Sequence, residues 1–131
     1  MSAVSPVAPS SKAMVWSGRI ISTLVVLALI MSASMKLTMA KEAVEGLKKH
    51  GYPESSLVPI GITEVACTVI YVIPQTSVLG AILLTGYLGG ATATHVIGGE
   101  NVIPPVVVGM LVWLGLFLRD ARIRALIPWK R

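Results

Sequence analysis

SVLGAILLTGYLGGATATHVI, residues 77–97, carries no Asp, Glu, Lys or Arg. A helix of that length and composition crosses the hydrocarbon core of a bilayer. The stretch is also rich in small residues. Thr85, Gly89 and Ala93 recur at four-residue intervals, as do Gly86, Gly90 and Thr94. Such stripes let helix backbones approach closely inside a membrane. The simplest use is packing between helices of the same chain, with contact to a second copy or to other membrane subunits as the alternative. His95, an imidazole, closes the stretch. The expected fold is an all-α integral membrane four-helix bundle built around this helix, with antiparallel spans and short loops.

The rest of the composition agrees. Of 131 residues, 54% are hydrophobic and 13% charged, with a mean hydropathy of +0.79, whereas charged residues make up about 25% of a soluble domain. The net charge of +5 does not point to nucleic acid, because the basic residues flank apolar segments instead of lining one polar face. The lipid bilayer is the expected partner. Cys67 is the only cysteine, which excludes an intramolecular disulfide, a CxxC redox pair and thiolate metal cages. With two histidines and six acids, a dedicated metal site is not expected.

Residues 1–14, MSAVSPVAPSSKAM, are biased to Ser, Pro and Ala and read as a disordered tail. The membrane domain is expected over 15–121, with spans near 20–40, 57–73, 77–97 and 102–118, followed by a basic tail, 122–131. A cleaved signal peptide is disfavoured, since the apolar run from Ile20 to Ala40 exceeds the usual signal core of about 7–15 residues. Between the first two spans, Ala40, Ala43, Val44 and Leu47 fall at i, i+3, i+4 and i+7, a short amphipathic helix lying at the interface. Gly51 and Pro53 are placed to end it. Pro74-Gln75-Thr76-Ser77 is a tight turn between the second and third spans. Pro104 and Pro105 fit the first turn of the fourth, where a missing N–H costs little, and Trp129 is an expected interfacial anchor.

Four spans place both termini on one side, with Lys12, Arg19, Arg119, Arg122, Arg124, Lys130 and Arg131. The other side carries Lys36, Lys41, Lys48 and Lys49, accompanied by acids. The positive-inside rule therefore favours cytoplasmic termini.

Lys36, Glu64 and His95 are ionisable residues inside the expected spans, and a charge at a helix centre costs about 2.5–3.5 kcal/mol on insertion scales. All three fall in the outer half of the bundle. Lys36 could snorkel and His95 could bond a carbonyl. Glu64 is the deepest, and Cys67, Thr68 and Tyr71 share its helix face. A purely structural Glu64–Lys36 pair is one reading. The other is that Glu64 and His95 handle a proton for a lipid-soluble substrate, with Lys36 as charge partner. Tyr87 and Thr92 of the third span are the candidate pocket-lining residues.

Lys36-Leu37, Gly51-Tyr-Pro53, Gly61-Ile-Thr-Glu64, Ile73-Pro74, the block Leu79–His95 and the ending Trp113–Asp120 resemble the DoxX-like family over roughly residues 20 to 129. The resemblance implies a four-helix protein of the inner (cytoplasmic) membrane. The family takes its name from a small subunit associated with a quinone-reducing thiosulfate oxidoreductase, and some relatives are linked to oxidative-stress complexes. Many relatives carry Arg two residues after the histidine, where this chain has Ile97. A role there for a fixed cation is not carried over. The expected function is a small subunit or accessory protein of a quinone-linked redox system, the electrons coming from a partner because no redox centre is visible in the sequence. A lipid-soluble quinone is the cofactor expected. The alternative is a non-catalytic assembly subunit that packs through its glycine-rich third span. A haem held by two histidines of one chain would require loop residue His50 to fold in against His95.

Overall fold

The computed structural model describes residues 11–126, which are helical apart from short connections. Helix α1 (Lys12–Leu37) is followed by α2 (Lys41–Lys49), α3 (Leu57–Val72), α4 (Ser77–Ile97), α5 (Ile103–Arg119) and α6 (Ala121–Leu126). Residues 1–10 and 127–131, among them Trp129, most of the expected N-terminal tail and half of the C-terminal one, lie outside the described residues.

α1 begins eight residues before the expected span. Ser11 caps it, its hydroxyl accepting a hydrogen bond from the Met14 N–H at 3.1 Å, so residues 12–14 belong to the helix and not to a tail. The bias toward Ser and Pro masked a helix start whose cap is itself a serine. The amphipathic helix is present as α2, with Ala43, Val44 and Leu47 half-buried. Gly51 ends it at φ +82°, a conformation that glycine adopts without strain. The basic segment after residue 121 starts as a helix, α6, and buries Ile123.

In the α3–α4 turn, residues Pro74–Thr76 form a single 3-10 turn. The last carbonyls of a helix have no partner within it. Here Ser77 Oγ donates to Tyr71 O at 2.8 Å and to Ile73 O at 3.0 Å, and Thr76 Oγ1 donates to Ile70 O at 2.8 Å. At the end of α5, Arg124 does the same for Phe117 O at 2.6 Å.

The four long helices pack in a cycle, α1 against α3, α3 against α4, α4 against α5 and α5 against α1. Each buries one stripe, for example Ser22, Val25, Leu29 and Ala33 of α1 and Gly61, Glu64, Thr68 and Tyr71 of α3. The opposite faces expose large apolar side chains, among them Leu24, Leu27 and Met31 of α1 and Ile82 of α4. α1, α3 with its preceding turn, and α4 with its preceding turn are each long and apolar enough to cross a membrane, while α5 is apolar but shorter.

α4 is not the hub expected of it. It occupies one corner of the cycle and makes no close approach to α1 among the described residues. Its buried residues are Ser77, Gly80, Ala81, Leu84 and Leu88, a face rotated away from the small-residue stripes. A Cβ placed on Gly86, Gly89 or Gly90 would meet nothing within 4 Å, so these glycines do not serve close helix contact within the chain. The tight approaches lie elsewhere. Gly80 abuts the Tyr71 backbone, Gly115 abuts Ser22, and a Cβ on Gly18 would stand 2.7 Å from Gly115 O.

Candidate functional site

The site begins with Glu64. It is 2% exposed, and a carboxylate at such depth needs partners. Position 64 falls on the buried stripe of α3 and faces α1, where Lys36 and Ser32 lie one helical turn apart. Lys36 Nζ is 3.0 Å from Glu64 Oε1 and donates to Ser32 Oγ at 2.6 Å. Ser32 Oγ donates in turn to Glu64 Oε1 at 3.3 Å. The Lys36 stem packs over Gly61, where a Cβ would stand 3.1 Å from Lys36 Cβ. Lys36 therefore turns inward to the carboxylate, and the absence of a side chain at Gly61 lets it pass.

Beside this triad lies a cavity of about 200 Å³, lined by Ser32, Glu64, Tyr87 and His95 among apolar neighbours that include Leu88 and Pro105. It occupies the space enclosed by α1, α3, α4 and α5. Tyr87, half-buried, lines the same cavity as Glu64. His95 Nδ1 bonds Ala91 O at 2.7 Å. A carbonyl only accepts, so Nδ1 carries the proton and Nε2 is left for other chemistry. Glu64, Lys36, His95 and Tyr87 are thus brought together.

Thr92 is not part of that group. It lines a second space of about 730 Å³ between α4 and α5, together with Thr85, Gly89, Met110 and Trp113. Trp113 Nε1 donates to Thr85 Oγ1 at 2.7 Å across it. Of the stripe residues, Thr85 and Gly89 open this groove. Thr94 instead meets Tyr52, hydroxyl to hydroxyl, at 3.0 Å.

That last contact belongs to a loop closure at the His95 end. His50 folds in, its Nε2 bonded to Glu100 Oε1 and its ring lodged against Gly98. The His50 and His95 ring centroids lie 6.3 Å apart. No group of three or more His, Cys, Asp or Glu residues placed to hold a metal ion occurs among the described residues.

Two contributors escape a reading of the sequence. Ser32 is one of several serines in α1, and nothing in its spacing marks it as the bridge in the ion pair. Tyr71 is the buried post on the other side of Glu64. Its hydroxyl donates to Val112 O at 2.8 Å and bonds Ser22 Oγ at 3.1 Å, tying α3 to α5 and α1. The only signal for it was its place on the Glu64 face.

Comparison with curated proteins and with solved structures finds no match. A family model does match, over residues 20–115, a stretch that contains the whole Lys36–Ser32–Glu64 network, the cavity and the loop that closes over it. The chain belongs to the DoxX-like family.

Proposed function

We propose that the protein is a four-span inner-membrane accessory subunit of a quinone-linked redox system, and that the cavity beside Glu64 receives the quinone head group. The observation that carries this reading is the convergence of Glu64, Tyr87 and His95 on one largely apolar cavity. Its volume of about 200 Å³ is below the ~300–1,000 Å³ usual for whole ligands. It suits a single ring whose apolar tail leaves toward lipid.

Reduction of a quinone takes up two electrons and two protons, and the electrons would come from a partner. The chain's own residues fit the proton side. The Tyr87 hydroxyl is a donor, His95 Nε2 can accept and return a proton, and Glu64 is the reservoir beside them. Lys36 and Ser32 hold the carboxylate in place. Extraction of the purified protein followed by mass spectrometry tests the proposal: a quinone should be retained by the wild type and lost in Tyr87→Phe and His95→Gln.

In the bilayer, α5 has 17 residues and rises about 25 Å, short of a hydrocarbon core of about 30 Å. Local thinning of the bilayer accommodates such a helix at modest cost. With α5 counted as a span, neighbours in sequence are neighbours in the cycle, which suits an antiparallel up-and-down bundle. Both termini then lie on the more basic side, the cytoplasmic one.

The closed Lys36–Ser32–Glu64 network supports a second reading. A paired and bridged carboxylate needs no substrate to explain it, and as architecture it would fix the register of α1 on α3 in a non-catalytic assembly subunit.

A further inference from the structure

At the end of the protein opposite the Glu64 cavity, the start of α1 and the end of α5 bring two arginines together. Arg19 and Arg119 both line a cavity of about 480 Å³ between α1, α3 and α5. Neither has an acidic partner among the described residues. The adjacent carboxylate, Asp120, is already engaged by Arg122 at 3.3 Å. Each cation is instead seated on an aromatic ring, Arg19 over Trp16 at 5.3 Å and Arg119 over Tyr71 at 5.5 Å. A ring stabilises a guanidinium through its face, which leaves the in-plane N–H donors free to bind something else. The Arg119 Nε is buried with no hydrogen-bond partner among the described residues, a donor left unsatisfied.

We propose that the Arg19–Arg119 cavity binds a phosphate group. Two guanidinium forks on one concave surface suit a phosphate, because each can donate two parallel hydrogen bonds to its oxygens. The remaining wall combines apolar Val26, Leu27 and Val72 with the hydroxyl-bearing Ser22, Thr23 and Tyr71. Leu27 and Val72 are more than half exposed on the outer surface of their helices, so an acyl chain could follow them while its phosphate sits on the arginines. Trp16, 60% exposed beside Arg19, is the residue type that settles at headgroup level. The cavity is much larger than a phosphate group alone and has room for a glycerol backbone. Both arginines and Trp16 fall outside the 20–115 stretch matched by the family model, while the rest of the cavity lining lies within it.

The test uses the purified full chain in neutral detergent, with phosphatidylglycerol, phosphate-free diacylglycerol and inorganic phosphate as probes, read by native mass spectrometry and by thermal shift. Saturable binding of phosphatidylglycerol, weakened about tenfold by Arg119→Gln or Arg19→Gln and unchanged by Arg122→Gln, is the expected result. Competition by millimolar inorganic phosphate would show that the free anion also enters; no competition would assign the site to lipid-borne phosphate. If Arg119→Gln fails to fold, Arg19→Gln, a change at an exposed position, decides alone. Equal binding of diacylglycerol, equal binding by the wild type and Arg19→Gln, or no binding by the wild type overturns the proposal.

Discussion

Gly80 of α4 lies directly against the Tyr71 backbone of α3, so that a Cβ at position 80 would collide with Tyr71 N and Cα. The two residues flank the short α3–α4 turn, where Ser77 already bonds Tyr71 O. Gly80→Ala should therefore cost about 1–3 kcal/mol, as overpacking against rigid backbone does. Gly90→Ala should be neutral or stabilising by up to about 1 kcal/mol, because alanine is the better helix former and nothing crowds it. Thermal unfolding of the two variants in detergent checks the order. A loss at Gly90 as large as that at Gly80 would mean that the exposed glycine faces another chain.

Tyr71→Phe keeps the ring and removes the hydroxyl that joins Val112 O and Ser22. Two buried groups lose a partner, which should lower stability by about 1–3 kcal/mol. Ser22→Ala removes only one of those bonds and should cost less. Equal losses in denaturant titration would show that the Tyr71–Val112 bond is not the dominant tie.

Orientation is tested by labelling intact cells. In a Cys67→Ser background, cysteine at Ser55, in the turn before α3, should react with an impermeant maleimide, and cysteine at Lys12 should not. The reverse pattern would invert the topology.

Asp120 closes the start of α6, accepting from the Arg122 N–H at 2.9 Å. Burial pushes its carboxyl up, but hydrogen bonds from the Arg122 side chain and backbone, together with the Arg122 charge, outweigh that and hold it below its ordinary value of 3.8. A carboxyl whose folded value is depressed adds stability above its unfolded value and loses it as pH falls through the folded one. The α5–α6 junction should therefore be fully formed above about pH 5 and loosen only in stronger acid. Hydrogen exchange at Ile123 and Arg124 follows it, and Asp120→Asn should flatten the pH dependence.

The helical elements were legible because prolines, glycines and charges punctuate long apolar runs, and Glu64 and Lys36 stood out because charge within such runs is costly. The buried face of α4 was not legible. Glycine and alanine fit equally well against another backbone and against lipid, so the Gly86–Gly90 and Gly89–Ala93 stripes pointed to contacts that the chain makes instead through Gly80. Ser32 was hidden because a serine bonding its own helix and one bridging an ion pair look alike in sequence. His50 folds in through the course of a loop, which has no period to read.

The central claim is that the Glu64 cavity holds a quinone, with Lys36 and Glu64 serving more than register. The most direct test is a double-mutant cycle of Glu64→Gln and Lys36→Met, read both by thermal stability and by the quinone retained on purification. Glu64→Gln alone leaves the Lys36 ammonium unpaired and should cost about 3–5 kcal/mol. The double variant removes the whole pair and should recover most of that loss. The account predicts that the rescued double variant is stable and nevertheless empty of quinone, whereas recovered stability with full quinone retention would contradict it.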